Sequence, residues 1–199
     1  MWPILMCSIA MLAIVAERIW TLQKKRICPD SLVAQVWHWA KAGQLDANKI
    51  STLRAGSPLG RVLAAGLVNL RHDHTVMKEA IEETGRHSVH ELERFLNTLG
   101  TIAMISPLLG LLGTVDGMVD IFSVITDKGV GDPKILADGI SKALLTTYFG
   151  LVVAIPALVF HRWFVRRIDD IVVTMEQEAL KMVEVLQGER ERDDGSAQA

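Results

Sequence analysis

Thr114 and Thr147 are the residues whose setting first suggests chemistry. Each lies in a long stretch without charged side chains, on a regular stripe of small residues. Gly100, Ala103, Pro107, Gly110, Thr114 and Gly117 recur at steps of three and four, and so do Ala143, Thr147, Gly150, Ala154 and Ala157. Residues at those steps share one face of a helix. Small side chains let helix backbones approach closely where lipid supplies no hydrophobic drive between them. A threonine hydroxyl both donates and accepts, so it could hold water or hand protons between waters along a narrow path. Two readings stay open: tight helix packing alone, or a wet path lined by some members of the stripes.

Asp116 and Asp120 sit one helical turn apart, just beyond the second uncharged stretch. They read either as a hydrated helix end or as an acidic mouth for cations. The centres of the uncharged stretches hold no Asp, Glu, His, Lys or Arg. A proton relay needs a titratable group at membrane depth, so any proton movement here calls for an acid lent by a partner.

Other chemistry is poorly provided for. His72 with His74, and His87 with His90, have metal-compatible spacing but no cysteine or paired acid beside them, so no metal is expected. The segment GVGDPK from Gly129 lacks the lysine-serine pattern of a phosphate loop and reads as a turn. No Ser–His–Asp or Cys–His set is legible, so the chain reads as a non-enzyme with no cofactor. Cys7 and Cys28 read as ordinary free thiols. A formal net charge of -2 argues against nucleic acid as a partner.

Three apolar blocks must position these residues. The first runs from Met1 to Ala16, with Trp2 and Trp20 as interfacial anchors and Arg18 able to snorkel. It lacks the basic start and small-residue cleavage site of a signal peptide and reads as an uncleaved anchor. The second runs from Phe95 to Val115 and the third from Ala143 to Phe160, each about long enough to span a bilayer. Lys and Arg crowd the segment between the first two blocks and the segment after the third; the short link between the last two holds only Lys128 and Lys134, with Lys142 at its edge. The positive-inside rule then places the N-terminus and that link outside, and the middle segment and tail in the cytoplasm.

The expected fold is all-α: an integral membrane protein with three transmembrane helices, whose long second and third helices extend into a cytoplasmic helical region. The boundaries are a first transmembrane helix at 1–20, a cytoplasmic helical region at 21–95, a second span at 96–125 and a short periplasmic loop at 126–135. A third span follows at 136–164, then a cytoplasmic extension at 165–187 and a disordered tail at 188–199. Within the cytoplasmic region, Ser31 to Ala42 has helical spacing and ends at Gly43. Asp46 caps a short helix to Arg54, and Ser57-Pro58 starts the next. From Thr75 the pattern runs without a strong stop to about residue 125, as one long helix with Gly85 and Pro107 as its weak points. After the third block, Ile168, Ile171, Val172, Met175, Ala179, Met182, Val183 and Leu186 form one apolar face.

At these spans the chain resembles the MotA/TolQ/ExbB family of proton-channel proteins, its ExbB branch most closely. The resemblance rests on SPLLGLLGTVDGMVDIF from Ser106 to Phe122 and on ADGISKALLTTYFGLVVAIPALVFHRWF from Ala137 to Phe164; the opening MWPILMCSIAMLAIVAERIW matches more weakly. It implies a homo-oligomer, a pentamer, in a bacterial inner membrane, with the second and third helices around a pore. A dimer of single-span ExbD-like helices in that pore would bring the missing aspartates. The work would pass to a TonB-like protein and so to outer-membrane receptors for iron chelates or vitamin B12. The family's pore threonines fall on Thr114 and Thr147. Lys142 departs from the family's glutamate and leaves the outer route open, with Asp116 or Asp120 as substitutes. A TolQ-like role in envelope integrity and a non-conducting membrane scaffold are the competing functions.

Overall fold

The computed structural model describes residues 2–29, 31–42, 45–69, 74–128 and 133–197. Every element among them is helical: α1 (Trp2–Thr21), α2 (Lys24–Ile27), α3 (Leu32–Lys41), α4 (Ala47–Gly56), α5 (Pro58–Val68), α6 (His74–Leu92), α7 (Leu96–Lys128) and α8 (Pro133–Ala197). Three of the helical stretches are long and apolar enough to cross a membrane. Gly43, His72 and the segment from Gly129 to Asp132, which carried sequence expectations, lie outside the described residues. The α8 helix runs on through the segment after Gly188.

The chain divides into two compact units, Met1–Ile19 with Phe95–Val165 and Trp20–Arg94 with Arg166–Ala199. The first holds α1, α7 and the front of α8. On α1 the buried residues are Ile4, Met11, Val15 and Arg18, one stripe at helical spacing. On α7 they include Leu96, Leu99, Ile102, Ala103 and Ser106, and on α8 Ala143, Val153, Ala154, Ala157 and Phe164. The remaining faces carry exposed Leu108, Leu111, Leu112, Leu144, Leu151 and Ile155, the pattern of a surface meant for lipid or other helices. Pro107 and Pro156 lie inside α7 and α8. Each removes one backbone donor, which is tolerated within a bundle of spans.

The second unit holds α2 to α6 and the rest of α8. Its helix starts follow local chemistry. The Asp46 carboxylate accepts from the Ala47 amide at 2.7 Å at the head of α4. The Ser57 hydroxyl accepts from the Gly60 amide at 3.0 Å at the head of α5, with Pro58 in the first turn. Gly60 is required there, because a Cβ would collide with the Leu53 carbonyl oxygen. The core joins Val36, Leu59, Leu63, Leu67 and Met77 to the α8 stripe of Ile168, Ile171, Met175, Ala179, Met182 and Val183. That stripe matches the apolar face read from the sequence as far as Val183; Val172 is half-buried at its edge, and the Leu186 side chain lies outside the described residues. Gly66 of α5 lies close against Met182 of α8 and Ile81 of α6.

One expectation is corrected. The helix expected over 75–125 is two helices, α6 and α7, separated by a turn over 93–95. Phe95 has φ 65°, the left-handed region, which costs a non-glycine residue about 1–2 kcal/mol. The α6 end closes with Glu93 N–H donating to Val89 O at 2.9 Å and Arg94 N–H donating to Glu91 O at 3.3 Å. The next helix opens with Leu99 N–H donating to Phe95 O at 2.9 Å. The Arg18 guanidinium sits 5.5 Å from the Phe95 ring centroid, a cation–π contact that supports the break from another helix.

Candidate functional site

The two stripes of small residues meet inside the first unit as one seam. At Gly110 an added Cβ would lie 2.9 Å from Thr147 Cα, and at Gly150 it would lie 2.6 Å from the Ser106 carbonyl oxygen. Both obstacles are backbone, so neither glycine tolerates a side chain unless the helices move apart. At Gly117 the Cβ would meet Ala143 Cβ at 3.0 Å. Thus Gly110, Gly117, Ala143, Thr147 and Gly150 are brought together, while Ala103, Ala154 and Ala157 are buried in the same unit. Pro107 is half-buried beside Ser106.

Hydroxyls bridge this seam. Thr147 Oγ1 donates to the Gly110 carbonyl at 3.0 Å. Thr146 Oγ1 reaches the same carbonyl at 3.3 Å while also donating to Ala143 O at 2.7 Å. Ser106, fully buried, donates to Ile102 O at 2.7 Å. Thr114 is half-buried and donates within its own helix to Leu111 O at 2.7 Å. Each of these oxygens keeps its acceptor capacity. A seam of this kind clamps two helices and presents a short run of polar atoms in an otherwise apolar span.

The residues read as an outer mouth are exposed. Asp116 and Asp120 both lie on solvent- or lipid-accessible surface of α7. Lys142 Nζ pairs with Asp138 at 3.1 Å, one turn back on α8. Asp120, Asp138 and Lys142 line one cavity of about 240 Å³ with Gly117, Ile121 and Gly139. The sequence reading singled out neither Thr146, Gly113, Ser106 nor His161. Gly113 packs on the Thr146 side chain, where a Cβ would meet its Oγ1 at 2.5 Å. Gly100 packs on His161, whose Nε2 would lie 3.0 Å from a Cβ there. The signal for His161 was available, since it continues the α8 stripe after Thr147, Gly150, Ala154 and Ala157.

In the second unit, Arg61 makes a two-pronged ion pair with Glu91, at 2.9 and 2.5 Å. The hydrogen bond from Arg61 holds the Glu91 carboxyl below its ordinary range, and Glu91 in turn raises Arg61.

Comparisons with known proteins point to one family. Residues 54–177 match the MotA/TolQ/ExbB proton channel family. The "Putative biopolymer transport protein ExbB-like 1" of Synechocystis is 35% identical over 166 residues, covering 81% of this chain and 65% of that protein. "Biopolymer transport protein exbB1" of Vibrio cholerae is 29% identical over 163 residues, 79% of this chain and 71% of its own length. "Biopolymer transport protein ExbB" of Aquifex aeolicus is 38% identical over 80 residues, 40% of this chain and 54% of that protein. The chain belongs to the MotA/TolQ/ExbB proton channel family. Within it, it is an ExbB-like membrane protein.

Proposed function

We propose that this chain is the pore-forming scaffold of an inner-membrane energy transducer driven by the proton motive force. Five copies surround a dimer of single-span ExbD-like helices, and the assembly drives a TonB-like protein that powers outer-membrane uptake of iron chelates or vitamin B12. The N-terminus is periplasmic and the C-terminus cytoplasmic. The polar path runs past Thr114 and Thr147, with Asp116, Asp120 and Lys142 at the outer mouth.

The observation that carries this reading is the glycine seam with its hydroxyls, which lies inside the stretch matched by the proton channel family. The span centres offer no acid of their own, which fits a partner that brings one. Only 6% of the most apolar stretch of the second span is buried within the protomer, so its surface fits neighbouring copies and partner helices. The similar proteins carry ExbB names, which favours an ExbB role over a TolQ role.

The test is Thr147→Val in the native host, with energised uptake and complex size both measured. A conducting scaffold loses uptake while the complex keeps its size. Unchanged uptake in an intact complex would leave only a passive scaffold.

A further inference from the structure

We propose that His161 is a proton-transfer residue at the Gly100 end of the α7–α8 seam, an assignment that rests on the proton-conducting reading above. Its position comes first. Thr147, Gly150, Ala154, Ala157 and His161 follow at steps of three, four, three and four, so the imidazole closes the face that begins with the bridging hydroxyl. Along the helix the two lie about 21 Å apart, most of the thickness of a hydrocarbon core. Between them the facing helix supplies the buried Ser106 hydroxyl.

The fit against α7 is specific. A Cβ on Gly100 would lie 3.0 Å from Nε2, 3.2 Å from Cδ2 and 3.6 Å from Cε1. The Nε2 edge of the ring therefore rests on bare backbone, and an alanine there would press directly on it. The ring of Phe160, stacked on Phe164 at 6.2 Å, precedes it on α8.

The nitrogens are idle. His161 is half-buried, yet among the described residues its ring nitrogens have no hydrogen-bond or ion-pair partner. Nor are they sealed, since no described side-chain nitrogen or oxygen is both fully buried and unpartnered. Both nitrogens are therefore open at the surface of the single protomer. The charged groups at this end of the unit are Glu17 and Arg18 on α1 and Arg162 on α8. Arg18 is committed to Glu17 at 2.6 Å and to the Phe95 ring.

The chemistry is a simple relay. A proton from water binds the bare ring nitrogen and forms imidazolium. Loss of the proton on the other nitrogen to water restores the neutral ring as the other tautomer. No other side chain type makes this exchange so readily near neutral pH.

The experiment uses membrane vesicles from native-host cells that carry the full chain with its own partners, and reads the chain-dependent proton leak with a pH-sensitive dye. His161→Gln is expected to lower that leak by at least about a hundredfold, the lower end of what a positioned acid–base group contributes. His161→Gly is expected to lose it equally and regain it when free imidazole is added, which a packing role would not produce. Both variants are checked for parental complex size. A leak in His161→Gln within twofold of the parent, in complexes of parental size, overturns the assignment and leaves the proposed function standing. No chain-dependent leak in the parent overturns the proposed function and this assignment with it. Should both variants fail to assemble, histidine-selective nitrogen-15 labelling of the parent in lipid discs decides. The His161 ring N–H is expected to exchange its proton readily with water. A ring N–H protected from exchange overturns the assignment.

Discussion

The Thr147 hydroxyl donates to the Gly110 carbonyl 3.0 Å away, tying α8 to α7 at the point where both helices are stripped to glycine or nearly so. The bond spans 37 positions in sequence, so it is a tertiary tie within the spans. It accounts for Thr147 structurally, and the lone pairs left on its oxygen are what the proposed path would use.

Thr147→Val is isosteric and deletes only the hydroxyl. Interhelical hydrogen bonds in membranes average roughly 0.6 kcal/mol and reach about 2 kcal/mol. The variant is expected to lower the unfolding free energy in detergent by that amount and no more. A loss well beyond it would mean that Thr147 holds the seam together by packing.

Glycine positions separate the seam from ordinary helix surface. Gly110→Ala and Gly150→Ala each set a methyl group against backbone, at 2.9 and 2.6 Å. Overpacking of this kind costs roughly 1–3 kcal/mol. Gly85→Ala on α6 meets nothing within 4 Å and is expected to stabilise by about 0.5–1 kcal/mol. Thermal unfolding of the three variants should fall on opposite sides of the parent.

Phe95 offers a test of the break between α6 and α7. Phe95→Gly removes the left-handed strain of about 1–2 kcal/mol while giving up the ring contact with the buried Arg18, worth about 1–2 kcal/mol. The two offset, and stability is expected within about 1 kcal/mol of the parent. Phe95→Val loses the ring and keeps the strain in a β-branched residue, so it should be clearly the less stable. Chemical denaturation of both variants makes the comparison.

The Arg61–Glu91 pair gives a pH dependence. The Glu91 carboxyl is held below its ordinary range by the hydrogen bond from Arg61. A depressed carboxyl contributes stability that is fully present above the ordinary carboxylate range and is lost as pH falls through its lowered value. Both side chains are substantially exposed, so the effect is expected at about 0.2–1 kcal/mol. Glu91→Gln should lack this component: it lies below the parent by that amount above about pH 6 and converges on it as pH falls, with a flatter acid limb.

Much of this architecture was legible because composition and spacing act locally. Three uncharged stretches foretell three long apolar helices, and the residues Asp46, Ser57 and Pro58 announce two helix starts. The α8 stripe from Ile168 to Val183 follows from helical periodicity alone. The turn at Phe95 was not legible, because no glycine, proline or asparagine marks it. Contacts from α1 accompany a conformation that phenylalanine rarely adopts. In the seam, the small-residue stripes were visible, but the choice of Gly110 O as the shared acceptor was not. That depends on how α7 and α8 face each other. His161 was legible only as a continuation of the α8 stripe, because it lies just past the end of the uncharged block.

Gly110 and Gly150 face each other with no room for a methyl on either side. Neither position can drift alone over generations, because the first substitution at one must be met by displacement of the other helix. A lineage that discarded proton movement but kept the helix pair would still retain both glycines, whereas His161 would be free to change. The pattern of descent at these sites would therefore separate what the bundle needs to stand from what it needs to work.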